Sequence, residues 1–452
     1  MMRKSTKLIL YGIPTTLLLS CAGGLLGFAH KSRTDRNLAV ARLAEVGLPT
    51  DPDQIKHTPD SNKDAGQLLK EFQTIYATAG NSPIVSAYSN GRRATAQERR
   101  DFINAYPKLV RLRKELFTKT ELATQLDPSL GKDQLFPQIL TWRVTINFAV
   151  SEAVVLAAEG KPTEAIGLLA QAAEFAKLIE TDPILIGSLN AISIGRKLNR
   201  EAALIFASSA KRPGVSKAMR LYLNSSIPTI DVRRTILDQV CGALDFERDV
   251  QNGKITIDDF YDYEEEQEES IADRGLNQLY KIRGVSDMLF ARLYTGQADF
   301  YEAIPKDRNL HKQRIEAAEE WESKNSTLTG LNSMLLTTIG PFLANTFKAE
   351  AHLKAEWRTL NALLIATEIK SKTGKYPSTL PVTGQDAIDP FTDKPLKYLL
   401  KGGKLTIYSV GQDLSDNNGL LFVPTTLSSS GSPSPSTDTG FSIPYVVPQR
   451  LQ

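Results

Sequence analysis

The stretch Gly411-Gln412-Asp413-Leu414-Ser415-Asp416-Asn417-Asn418-Gly419 is the strongest candidate for chemistry, because it concentrates carboxylate, amide and hydroxyl oxygens in one loop-forming run. A hard cation such as calcium needs several oxygen ligands from side chains and backbone, and a loop of this composition could supply them. The spacing departs from the EF-hand pattern, since the glycine comes one place late. An Asx-rich turn closes without any ion, so a metal-free loop is the competing reading.

Other strings are weaker. Ser208-Ser209-Ala210-Lys211, Lys372-Thr373-Gly374 and Ser415-Asp416-Asn417 together resemble the motifs of penicillin-binding serine acyl-transferases. That chemistry needs the serine at a helix start and Lys-Thr-Gly on a strand after Ser-Asp-Asn. Here Ser208 ends a predicted helix, Lys372-Thr373-Gly374 ends another, and the order is reversed, so the three strings are coincidence. His30, His57, His311 and His352 stand singly, without His or Cys at metal-ligand spacing. No glycine-rich phosphate loop, dinucleotide fingerprint or nucleophile elbow is present.

The elements that must position the loop are legible. A helix predicted over Leu343–Ser371 carries Leu353, Trp357, Leu360 and Leu364 on one stripe, with Glu350, Lys354, Arg358 and Lys370 off it. Thr373-Gly374 closes it, since glycine accepts the left-handed conformation just past a helix end, and Pro377 prevents resumption. Strands are expected over Leu396–Lys401 and Lys404–Val410, flanking Gly402-Gly403, a dipeptide suited to a tight hairpin turn. After Val423 the chain is rich in Ser, Thr, Gly and Pro to about Thr439, and Phe441–Val447 regains β character as a potential edge strand.

This order of helix, Thr373-Gly374-Lys375-Tyr376-Pro377, Asp389-Pro390-Phe391, hairpin and Ser409-Val410-Gly411 resembles the C-terminal half of the major, calcium-binding pseudopilins of type II secretion. The resemblance covers roughly a seventh of the chain. It implies a small α+β module whose loop binds calcium through Asp413 and Asp416, with Ser415 or Asn417 as secondary ligands. In a pilin the apolar membrane segment is the first half of the module's own helix; here about 300 residues intervene, so shared-helix filament assembly is not implied. The whole chain resembles bacterial membrane-anchored helical proteins without assigned activity.

Between residues 37 and 371 helix-period apolar positions dominate, broken by short Pro, Gly or Asp-Pro turns. Trp142–Glu159 and Thr163–Glu180, joined by Gly160-Lys161-Pro162, predict an antiparallel hairpin with a tetratricopeptide-type turn. Only one such copy is found, which favours an irregular bundle over a repeat array. Further helices are expected near Leu189–Ser208, Ser216–Phe246, Leu276–Tyr294 and Lys312–Ser323. The acid-rich run from Asp258 to Glu269, around Phe260, Tyr261 and Tyr263, reads as a solvated face or, alternatively, a contact for a cation or basic partner.

Arg3, Lys4 and Lys7 precede an apolar run from Leu8 to Ala29. As a helix that run would be about 33 Å long, enough to cross the hydrocarbon core. Residues 1–30 therefore read as a signal anchor, with a short basic leader inside and the body outside the cytoplasm. Leu18-Leu19-Ser20-Cys21 admits a lipobox reading, which would also tether the body to a membrane. The only other cysteine is Cys241, so packing rather than disulfides must hold the body. With 41% hydrophobic and 23% charged residues the chain is in the globular range, and a formal charge of only +3 with intermixed signs gives no footprint for nucleic acid.

The expectation is a mainly α protein: an anchor (1–30), an irregular helical bundle (31–342), a pseudopilin-like helix-plus-hairpin module (343–423) and a low-complexity tail with a potential edge strand (424–452). Its expected role is non-catalytic, at the bacterial inner membrane, binding or scaffolding an envelope protein, with a tie to secretion implied by the pseudopilin resemblance. An extracytoplasmic hydrolase with its cleft in the bundle is the alternative.

Overall fold

The computed structural model describes residues 27–55, 60, 63–78, 94–121, 132–178, 185–226, 234–252, 283–326, 341–421 and 438–444. Among them the chain is mainly helical with one small sheet: α1 (27–46), α2 (Gly66–Ala77), α3 (Ala96–Ala105), α4 (Pro107–Leu116), α5 (Lys132–Ala158), α6 (Pro162–Ala176), α7 (Leu185–Ser209), α8 (Val215–Ser225), α9 (Arg234–Gln251), α10 (Arg283–Ala303), α11 (His311–Ser326), α12 (Pro341–Thr373), β1 (Lys397–Lys401), β2 (Lys404–Ser409) and β3 (Thr439–Ile443).

The expected membrane span Leu8–Ala29 lies outside the described residues except for its last three, which open α1. Among the described residues no helix is long and apolar enough to cross a membrane. The acid-rich run around Tyr261 also lies outside them. The single helix expected over Ser216–Phe246 is two helices, α8 and α9.

Two compact units divide the chain. The smaller comprises Met1–Ile55, Ile236–Ala303 and Glu320–Pro341. Leu43, Val240, Leu244, Tyr294 and Phe300 are in its core. Arg36 of α1 forks both Nε and Nη2 onto the Glu247 carboxylate of α9 at 2.8 Å, and the Tyr294 hydroxyl donates to the same group at 2.7 Å. Planar guanidinium matches carboxylate in this two-bond geometry. Where α10 crosses α1, a Cβ on Gly284 would meet the Ala29 Cα at 2.9 Å, so only glycine permits the approach.

The larger unit comprises Lys56–Thr235, Ile304–Glu319 and Phe342–Gln452. Local sequence chemistry sets its helix ends. Thr95 and Glu98 form a reciprocal capping box at α3, and Pro107 and Pro162 occupy first-turn positions where no amide donor is required. Gly160, at φ +82°, reverses the chain between α5 and α6, which pack as the expected hairpin. Helix α6 also packs on α7 and α8, and α5 on α2 and α3. The Arg113–Glu152 fork, at 2.8 and 2.9 Å and buried on both sides, joins α4 to α5.

Helix α12 is enclosed along most of its length. Leu353, Trp357, Leu360 and Leu364 are buried as their stripe predicts. Glu350 and Arg358, expected off that stripe and therefore outward, are buried too, because the C-terminal module and the start of α11 cover the other faces. Gly374, at φ +78°, ends the helix by donating its amide to the Lys370 carbonyl at 2.8 Å. The antiparallel sheet follows in the order β1-β2-β3, with Gly402 and Gly403 both at positive φ in the turn. In β3, Phe441 pairs with Ile407 and Gly440 with Tyr408.

Candidate functional site

Asp389, in the loop after α12, accepts the Phe391 amide and the Ser409 hydroxyl on Oδ1 at 2.9 and 2.8 Å, and the Val410 amide on Oδ2 at 3.0 Å. It is 1% exposed, and burial pushes its carboxyl above the usual range even though these donors pull the other way. The bonds lock Asp389-Pro390-Phe391 to Ser409-Val410-Gly411, from which the oxygen-rich loop departs. Arg358 adds a bond from Nη1 to the Ile388 carbonyl at 2.7 Å, tying the same corner back to α12.

The four loop residues expected as calcium ligands are all described. Asp413 Oδ1 accepts the Ser415 amide at 3.1 Å, and Ser415 Oγ donates to the Asp413 carbonyl at 3.2 Å. Asp416 accepts the Tyr408 hydroxyl at 2.9 Å and the Asn418 amide at 3.0 Å, and pairs with Lys397 Nζ at 3.0 Å. Lys397 holds the Asp416 carboxyl below the usual range. The Asn417 backbone amide donates to Asp438 Oδ1 at 3.2 Å, and the Gly419 amide to Asp438 Oδ2 at 2.8 Å. Protein donors therefore already engage these carboxylates. Among the described residues no three His, Cys, Asp or Glu side chains are grouped to hold a metal ion. Asp413 and Asp416, the two carboxylates of the expected ligand set, are thus both engaged by protein donors.

Asp438 is the residue that sequence reasoning missed. It is fully buried, and burial raises its carboxyl, with Asp416 and Asp413 adding in the same direction. The available signal was slight: Asp438 is the one acid in the Ser/Thr/Gly/Pro-rich run and stands directly before β3.

A second polar region lies along α12 and was not anticipated at all. Glu356 Oε1 accepts Arg196 Nε at 3.1 Å and Arg200 Nη2 at 3.2 Å, both from α7. Asn199, one turn along the same α7 face, accepts the Tyr222 hydroxyl of α8 at 2.8 Å. His352, one turn before Glu356, shares a 3.0 Å hydrogen bond between Nδ1 and Thr439 Oγ1 of β3, and its ring lies 4.7 Å from that of Phe391. The two helices approach closely because Gly195 faces Leu353, where an added Cβ would meet Leu353 Cδ1 at 3.0 Å.

Burial and the neighbouring Arg196 push the His352 imidazole down to about 3. His311, at the start of α11, is likewise lowered to about 3 by burial and then by Arg358, Arg314 and Lys354. Both rings are therefore neutral near pH 7. The Thr439–His352 pair has the makings of a nucleophile and base, but an imidazole this hard to protonate is a poor proton acceptor at neutral pH.

Comparison with family models, with curated proteins and with solved structures finds no match to this chain.

Proposed function

We propose that this protein is a non-catalytic, single-pass, membrane-anchored component of the bacterial cell envelope, with an extracytoplasmic helical body that binds or scaffolds another envelope protein. The reading takes residues 8–29 as the anchor and the inner membrane as the location. The C-terminal helix, hairpin and returning strand serve as a pseudopilin-like contact face, and the α5–α6 hairpin as a tetratricopeptide-like element of the body. The observation that carries it is the use of buried charge: Arg113–Glu152, Asp389 and Asp438 all join one element to another, the pattern expected of a rigid presenting surface. A connection to secretion rests on the module's resemblance alone.

The test is purification of the full chain from detergent-solubilised membranes, with identification of what accompanies it. A stoichiometric envelope partner, lost when the exposed Leu400, Leu414 and Leu420 of the C-terminal module are changed to Ser, is the expected result. Fractionation of the chain as a soluble protein, or recovery without any partner while the purified chain cleaves an envelope polymer, overturns the proposal. The second outcome is that of the rival hydrolase, which the polar α7–α12 seam favours.

A further inference from the structure

The seam between α7 and α12 contains more hydrogen-bonding capacity than the protein uses. Both guanidiniums converge on Glu356 Oε1, while Oε2 of the same carboxylate is buried without a hydrogen-bond partner among the described residues. Asn199 has its carbonyl oxygen engaged by Tyr222, and its Nδ2 is buried without a partner among the described residues. His352 has Nδ1 engaged by Thr439, and its buried Nε2 makes no hydrogen bond among the described residues, although the Gln412 side chain is near enough to influence the ring. Asn199, His352 and Glu356 are 1%, 3% and 3% exposed. Native interiors rarely leave such groups unmatched, and three on two facing helix surfaces call for a common explanation.

The groups are near one another as well as unmatched. Arg196 and Arg200 both reach Glu356, Asn199 lies one turn beyond Arg196 on α7, and His352 lies one turn before Glu356 on α12. Among the described residues Arg196 hydrogen-bonds through Nε, which leaves its Nη groups for another acceptor. The Arg196 side chain is 14% exposed and that of Arg200 31%, so the seam opens to solvent at the arginines and closes at Glu356.

We propose that this seam is a binding site for a small carboxylic acid bearing an adjacent amino or hydroxyl group. The ligand carboxylate accepts from Arg196 Nη and Asn199 Nδ2, and its amino or hydroxyl hydrogen is donated to Glu356 Oε2. His352 Nε2 completes the lining, as donor or acceptor according to the ring tautomer. A simple anion satisfies the arginine end and leaves Glu356 Oε2 unmatched, whereas an amino or hydroxy acid satisfies both ends. Leaving a buried acceptor unmatched is a strong basis for discrimination. The site is independent of the proposed anchor and envelope partner, so either idea can fail without the other.

The test uses the full purified chain and calorimetric titration with glycine, glycolate, acetate and inorganic phosphate, each to about 10 mM, a range that captures weak millimolar binding. Glycine or glycolate is expected to bind at least about tenfold tighter than acetate, the effect of one added charged hydrogen bond. Glu356→Gln should remove that preference and Arg196→Lys should weaken every carboxylate, while Leu221→Ser, an exposed change elsewhere, should alter neither. If a variant does not fold, hydrogen exchange of the unaltered protein decides: glycolate should protect residues 195–200 and 352–356. No binding by any probe means that the seam is matched by water and overturns the site. Equal binding of acetate and glycolate, or tighter binding of phosphate, overturns the assigned ligand class.

Discussion

Asp389 and Ser409 are twenty residues apart in sequence and share a buried 2.8 Å hydrogen bond, through which the loop after α12 is fastened to the end of β2. The same carboxylate takes the Phe391 and Val410 amides, so a single side chain satisfies two turns at once. Asp389→Ala would leave those donors buried and unmatched. Its expected cost is about 3 kcal/mol, against about 2 kcal/mol for Ser409→Ala, which removes the bond to Asp389 and the acceptor of the Gly411 amide but leaves the carboxylate its two amides. Urea denaturation of both variants checks this; equal losses would mean that Asp389 is not the organising group.

The extent to which this module could be read from sequence follows from the range of its interactions. Gly374 and the Gly402-Gly403 turn between β1 and β2 are local, and each follows from backbone preferences of neighbouring residues. The hairpin of α5 and α6 was legible for the same reason. The oxygen-rich loop was legible as a loop but not in its closure, because Asp438 arrives from beyond a run of sequence with no periodicity. The α7–α12 seam was invisible: Arg196 and Glu356 are 160 residues apart, and each looks like an ordinary charge on a helix surface. Burial of Arg358 and Glu350 likewise depends on what covers α12, which no helical period records.

The buried histidines predict an acid-sensitive fold. Their folded-state pKa of about 3 lies below the unfolded value, so the unfolded chain binds more protons as pH falls below about 6.5 and stability drops. Between pH 7.5 and 5.5 each histidine should remove about 1.4 kcal/mol, or about 3 kcal/mol for both. Asp389 and Asp438 have raised carboxyls and contribute with the opposite sign, favouring the folded state as they take up protons. Urea unfolding at the two pH values should therefore show a large loss in the unaltered protein and a much smaller one in the His311→Gln, His352→Gln double variant. A double variant with an unchanged pH slope would show that these rings do not govern it.

Strand β3 should be unusually intolerant at one position. Gly440 pairs with Tyr408, and a Cβ there would meet the Ile407 carbonyl oxygen at 2.2 Å and the Tyr408 Cα at 2.7 Å. Neither backbone atom can move aside without breaking the β2–β3 ladder. Gly440→Ala should therefore cost at least about 2–3 kcal/mol and raise exchange at the β2 amides, whereas Ser442→Ala should cost less than about 1.5 kcal/mol. The comparison is made by hydrogen exchange and denaturation; intact β2 protection in Gly440→Ala would contradict the close approach.

The loop from Gly411 to Gly419 makes a final, opposed pair of predictions. If its closure comes from Asp438 rather than an ion, chelation should leave the melting temperature of the full chain unchanged, because nothing that favours the folded state is withdrawn. Asp438→Ala should lower that temperature with or without chelator, since the Asn417 and Gly419 amides lose their shared acceptor, at a cost of about 2 kcal/mol. Asp413→Ala should have a smaller effect, as its carboxylate accepts the nearby Ser415 amide and its exposed side can be replaced by water. A melting temperature that falls on chelation and recovers with calcium, with Asp413→Ala abolishing the response, would restore the ion to the loop and displace Asp438 as its principal tie.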